Sequence, residues 1–158
     1  MPQRSAGIVL FRRSADGPEV LLVHPGGPFW AKKDAGAWSI PKGLIETDED
    51  AATAARREFA EETGAAASGT VVPLGEFKQP GGKIVVAFAL EGAFDPAALK
   101  SNLFAMEWPP RSGRMREFPE ADRAGWFSMV EAKIKILKGQ APMLVVLQEH
   151  LAGRGKLS

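Results

Sequence analysis

Gly43-Leu44-Ile45-Glu46-Thr47-Asp48-Glu49-Asp50-Ala51-Ala52-Thr53-Ala54-Ala55-Arg56-Arg57-Glu58-Phe59-Ala60-Glu61-Glu62-Thr63-Gly64-Ala65 decides how this chain is read. Its second half is rich in Ala and Glu and stops at a glycine, which predicts a helix over Asp50–Thr63. Thr47, three residues before Asp50, has the spacing of a capping box at the helix start. At about 100° per residue, Glu61 falls about −60° and Glu62 about +40° from Glu58, so three carboxylates share one face. Ala51, Ala54 and Ala55 lie on the same arc one and two turns back, and read as a floor of methyl groups with room beside the acids. Phe59, with Ala52 and Ala55, marks the edge expected to face a core.

A solvated acidic face is the ordinary reading of such a helix, but two features argue against it. No Lys is interleaved with the Glu residues. The carboxylates also crowd the C-terminal half, where the helix dipole disfavours negative charge. Like charges three and four residues apart repel by a few tenths of a kcal/mol per pair. Arg57, four residues before Glu61, can offset part of this, and a bound cation would offset more. Hard oxygen donors of this kind suit Mg²⁺ or Mn²⁺, which keep several waters and commonly bridge to phosphates.

Gly43, Glu49 after five residues, and then Arg57-Glu58-Phe59-Ala60-Glu61-Glu62-Thr63-Gly64-Ala65 after seven resemble the Nudix box, Gly-x5-Glu-x7-Arg-Glu-U-x-Glu-Glu-x-Gly-U, with U a bulky apolar residue. Ala65 departs from the pattern, being smaller than the usual aliphatic. A fainter likeness covers Ser5-Ala6-Gly7 with Phe11-Arg12-Arg13, Trp38 to Gly43, and Trp126-Phe127. Those flanks look most like the asymmetric diadenosine-tetraphosphate hydrolase branch. The resemblance implies an α/β/α sandwich with a mixed sheet, hydrolysing a nucleoside diphosphate linked to another moiety with Mg²⁺ or Mn²⁺. It implies Glu58, Glu61 and Glu62 as metal ligands, Glu58 as a frequent general-base candidate, and a backbone carbonyl at Gly43 or Lys42 as a further ligand. Arg57 and Glu49 would hold the carboxylates and the loop–helix junction. A later glutamate often completes the set; Glu120 fits best and Glu117 is the runner-up.

Outside the box the readings stay open. Lys42 beside Gly43, and Lys32 and Lys33 in the long loop after Pro25, are phosphate contacts or solvated charges. Trp30 and Trp38 are candidates to stack a nucleobase, with core packing the competing reading for Trp38. Arg111, Arg114 and Arg116 read as a phosphate clamp or a solvated basic loop, and His24 as a structural histidine before a catalyst.

The remaining chain predicts strands at Gly7–Phe11, Glu19–His24, Trp38–Ile40, Val71–Phe77, Lys83–Leu90 and Gly125–Ser128, with helices at Val130–Leu137 and Pro142–Leu151. The Trp108–Gly113 stretch reads as loop. At 158 residues this is one domain, expected over residues 1–151, with 152–158 a flexible basic tail. The net charge of +1 conceals seven acidic against two basic residues in 43–62, while 1–42 and 63–158 are each +3. That pattern concentrates carboxylates in one place and does not suit a nucleic-acid coat. There is no cysteine, which excludes thiolate chemistry, and two histidines are too few for a multi-histidine zinc site. The longest apolar run, Ile84–Leu90, is too short for a membrane span, and Gly7–Phe11 too brief for a signal-peptide core. The expectation is a cytoplasmic enzyme with a small nucleotide substrate; a nucleoside triphosphate pyrophosphatase and a non-catalytic nucleotide-binding module are the alternatives.

Overall fold

Strands β1 (Arg4–Ser14) and β2 (Gly17–Pro25) form a hairpin in which Ser14 pairs with Gly17 and Phe11 with Val20. The computed structural model describes residues 3–157, with side chains for 3–153. β3 (Lys42–Leu44) pairs antiparallel with the start of β1 and leads into α1 (Ala51–Thr63). β4 (Val72–Lys78) and β5 (Ile84–Glu91) are antiparallel to each other, and β5 lies parallel to β1 along eight residue pairs. β6 (Leu103–Glu107) and β7 (Met115–Pro119) make a separate two-stranded ribbon. β8 (Ala121–Ser128) returns to the sheet beside β2, followed by α2 (Met129–Lys135) and α3 (Ala141–Leu157). The sheet order is β4-β5-β1-β2-β8, with β3 also on β1.

Alternation along β1 and β5 explains the layers. Ala6, Ile8, Leu10, Phe88 and Leu90 point to one face and pack with Ala54, Ala55 and Phe59 of α1. Val9, Phe11, Val85, Ala87 and Ala89 point to the other and pack with Met143, Leu144 and Leu147 of α3. Strands buried on both faces are continuous apolar runs, which is why Ile84–Leu90 shows no polar alternation. The result is the expected α/β/α sandwich on a mixed sheet.

α1 is held at both ends by local chemistry. Asp50 is the N-cap, its carboxylate accepting from the Thr53 N–H and hydroxyl. The Thr47–Asp50 capping box is therefore corrected: the cap sits three residues later. Gly64, at φ +83°, takes the left-handed conformation and donates its N–H to the Ala60 carbonyl.

Other elements differ from expectation. Trp38–Ile40 is not a strand; Trp38 and Ser39 make single bridges to Ile136 and Val23. Pro41 follows with no N–H to continue a ladder, and the Ile40 N–H turns to the Gln140 side chain. The region read as loop around Trp108 is the tip of the β6–β7 hairpin, where Glu107 accepts from the Arg111 and Gly113 N–H groups. α3 continues past Leu151, so the expected tail at 152–158 falls on helix up to Leu157, and side chains beyond Gly153 lie outside the described residues. No helix among the described residues is long and apolar enough to cross a membrane.

Phe59 joins α1 to the sheet while being almost fully buried. Phe59→Ala is expected to lower the unfolding free energy by about 3–5 kcal/mol, read from urea denaturation.

Candidate active site

α1 lies across β1 and β3, with Ala54, Ala55 and Phe59 inward and the acidic face along the β3 edge. This corrects the alanine floor. Ala54 and Ala55 are sealed in the core and offer no ligand space.

The close approach of backbone to acid is at Gly43. A Cβ on that residue would overlap the Glu58 carboxylate, so only glycine lets the β3 backbone approach the acid this closely. Arg57 organises the rest. Its Nε and Nη2 donate to the two Glu49 oxygens, each at 2.9 Å, a bidentate pairing. Nη2 also donates to the Leu44 carbonyl at 2.9 Å. Nη1 is shared between Glu58, at 3.0 Å, and Glu61, at 2.7 Å. One guanidinium thus ties the β3 exit, the segment before α1 and two of the three helix carboxylates. The anionic neighbours push Arg57 further up from its ordinary range, which keeps it charged.

Glu62 points to the other side, towards Lys42 and Glu120. Its carboxyl is pushed up to about 8, chiefly by burial and further by the Glu120 and Glu58 charges, against the pull of Lys42. Burial likewise raises Glu58, with Glu61 adding to the effect and Arg57 opposing it. Glu120 is raised by desolvation and by Glu61. Burial is thus the main reason that Glu58, Glu62 and Glu120 hold protons more tightly than ordinary glutamates.

Among the described residues no three carboxylates close on a common point. Arg57 draws Glu58 and Glu61 towards itself and leaves Glu62 facing Lys42. The donors nonetheless fit a hard divalent cation: carboxylate oxygens, a glycine that lets the β3 backbone come up against Glu58, and an excess of negative charge.

Three hollows meet here. One of about 180 Å³ is lined by Trp30, Ser39, Lys42, Glu62 and Glu120. Next to it, sharing Pro25, Trp30 and Glu120, is a cleft of about 400 Å³ walled by Phe29, Phe104 and Met106. On the far side of Lys42 lies a third, also about 400 Å³, lined by Lys42, Lys83, Lys138 and Gln79 and by no carboxylate.

Of the substrate candidates, Lys42 and Trp30 line the central hollow and Lys33 holds its ammonium 5.0 Å from the Trp30 ring. Lys32 is exposed and lines none of the three hollows. Trp38 does not face the site. It is 6% exposed, edge-on to His24 and Phe127, with its indole N–H on Asp34, so it belongs to the core. Glu120 lines two of the hollows, whereas Glu117 sits exposed on β7 and lines none. Arg111, Arg114 and Arg116 are exposed on the hairpin, with Arg116 over the Phe118 ring. Phe104 and Met106 were not foreseen; the alternation Phe104-x-Met106 ahead of the Pro109-Pro110 turn was the available signal.

The NUDIX domain matches this chain over residues 1–148. The chain belongs to the NUDIX family, and with the full set of box carboxylates in place it is a hydrolase of phosphoanhydrides. Hydrolases of this family generally use divalent metals. Among solved structures, an Ap4A hydrolase from C. elegans in binary complex has a TM-score of 0.67 at 22% identity, covering 94% of this chain and 98% of its own. A mutT/nudix family protein from Listeria innocua has the same TM-score and identity, covering 100% and 99%. The NUDIX domain of NrtR from Shewanella oneidensis, complexed with ADP ribose, has a TM-score of 0.66 at 17% identity, covering 96% and 89%. At these identities the likeness is one of fold.

The Glu62 shift has a direct consequence for stability. Between its ordinary value of 4.5 and about 8, the folded chain holds a proton that the unfolded chain has released. Stability is therefore lost as pH rises through that window. In EDTA, wild type should melt at lower temperature at pH 8 than at pH 5.5, and Glu62→Gln should flatten the dependence, measured by thermal unfolding at each pH.

Proposed function

We propose that this chain is a Mg²⁺- or Mn²⁺-dependent pyrophosphohydrolase of a dinucleoside polyphosphate such as diadenosine tetraphosphate. The observation that carries the reading is the row of three hollows. The aromatic cleft suits a nucleobase, the carboxylate-lined centre suits the scissile phosphoanhydride, and the lysine-lined hollow suits the phosphates beyond it. The likeness of fold to the worm Ap4A hydrolase supports the same choice.

In this reading Glu58, Glu61, Glu62 and Glu120, with the backbone carbonyl of Gly43 or Lys42, hold the metal. When bound, the metal neutralises phosphate charge and acidifies water. The chain's own groups do the rest. Arg57 keeps Glu58 and Glu61 from swinging into solvent and is not itself consumed. Glu58 accepts the proton of the attacking water at a carboxylate oxygen, a role its raised proton affinity favours. Lys42 and the lysines beyond it offset charge on the polyphosphate, and Trp30, with Lys33 against it, walls the base cleft. The substrate is a small molecule, and no stable nucleic-acid partner is expected.

A single-base triphosphate would leave the lysine-lined hollow partly unused, and a binding module would have no need of all four carboxylates. A panel of nucleotides with Mg²⁺ and Mn²⁺, with products identified by mass spectrometry, separates these readings. ATP plus AMP from diadenosine tetraphosphate supports the proposal. Release of pyrophosphate from triphosphates alone supports house-cleaning, and binding without turnover supports the module. Glu62→Gln and Glu58→Gln should each lower kcat by about 10²- to 10⁴-fold with the circular dichroism spectrum retained.

A further inference from the structure

His24 sits next to the end of β2 and is 0% exposed. Its Nε2 lies 2.6 Å from the Lys33 carbonyl and its Nδ1 lies 2.9 Å from Asp122 Oδ1. A carbonyl and a carboxylate only accept, so the ring donates to either of them through its N–H, one such group in the neutral ring and two in the charged one. The ring is fixed further by an edge-on contact with Trp38 at 5.2 Å.

The backbone explains how Asp122 reaches His24. β2 and β8 pair His24 with Arg123 and then Pro25 with Ala121, so Asp122 is the extra residue of a bulge. A bulge re-aims the side chain that it leaves unpaired. Immediately beyond it, the Gly26 N–H donates to the Glu120 carbonyl at 3.0 Å. The bulge and His24 thus lie directly behind Pro25 and Glu120, which line the central hollow.

From that corner the chain runs through residues 26–37, the loop that supplies Trp30. Its C-terminal part is secured to α2, where the Gly36 N–H donates to the Ile134 carbonyl and Asp34 pairs with Lys135. Between Gly27 and Lys33, among the described residues, the hydrogen bond tying the loop to the rest of the fold is the one from His24. The Lys33 N–H in turn donates to the Trp30 carbonyl, closing the turn that sets the tryptophan. Trp30 walls both the central hollow and the aromatic cleft.

We propose that His24 is a positioning residue, its buried ring held between the Lys33 carbonyl and Asp122 so that it links the 26–37 loop to the β8 bulge and Trp30 and Glu120 keep their spacing across the substrate pocket. Loss of His24 weakens substrate binding more than the chemical step. The kinetic part of this inference rests on the nucleotide-hydrolase reading above; the anchoring part does not.

The test compares His24→Leu, His24→Gln and Asp122→Ala with wild type by amide hydrogen exchange and by kinetics on the nucleotide that the panel shows to be turned over. Asp122 is a third exposed, so its alanine variant tests the same link where His24→Leu fails to fold. The expected result is at least ten-fold faster exchange at residues 28–33 with β1 and β5 unchanged. With it, KM rises about ten-fold, kcat stays within three-fold, and His24→Gln, which keeps a donor for the Lys33 carbonyl, recovers part of the KM. Unchanged exchange at 28–33, a uniform loss of protection across the sheet, or a fall in kcat with KM unchanged overturns the proposal. Should wild type turn over no nucleotide, the hydrolase reading fails, and the exchange comparison alone decides the anchoring.

Discussion

Placing several carboxylates on the C-terminal half of one helix is unfavourable twice over, through mutual repulsion and through the helix dipole. The guanidinium of Arg57 is what makes the arrangement tolerable in the absence of a metal. It accepts no proton and loses none, it spans Glu49, Glu58, Glu61 and the Leu44 carbonyl, and it is rigid enough to fix their relative positions. The β3–α1 junction and the acidic face of α1 are consequently parts of a single hydrogen-bonded unit. Glu62 lies outside its reach, and burial raises its proton affinity most strongly. The residual negative charge is located where a cation and a phosphate chain would meet.

The rest of the fold keeps that unit still. α1 is clamped by Asp50 at one end and Gly64 at the other, and sits on β1 and β5 through Ala54, Ala55 and Phe59. β1 receives β3 on its first residues, so the sheet carries Gly43 directly beneath Glu58. The opposite face of the sheet, covered by α3, contributes packing and no acid to the site. The walls of the aromatic cleft come from less regular parts, the 26–37 loop and the β6–β7 hairpin, segments carried by a rigid scaffold.

Most of the acidic face of α1 was legible because the spacing within a helix is local geometry. Given Glu58, Glu61 and Glu62 on α1, their shared arc follows from the helical repeat, and Arg57 four residues before Glu61 had to lie within reach of it. Glu49 and Gly43 entered only through the resemblance to a family pattern. The same angular arithmetic misplaced the alanines, since an arc states which residues are neighbours and not which side the sheet covers. For Trp38 the sequence left stacking and core packing both open, for a related reason. Its neighbours Ile40 and Pro41 look alike on a buried bridge and at a pocket mouth, and the choice is made by His24 and Phe127, which reach it from β2 and β8.

The sequence by itself determined the helix with its acids and the chemistry those acids favour, because each depends on residues a few positions apart, and the sandwich class followed from the resemblance of the box and its flanks to a family. Only the tertiary structure decided that Glu120 rather than Glu117 joins Glu62, and that Phe104 and Met106 face Trp30. It alone decided that a bulge carries Asp122 to His24. These pairings join segments that lie far apart in the chain. They are set by strand register and by how the sheet buries its two faces, quantities that no local pattern encodes.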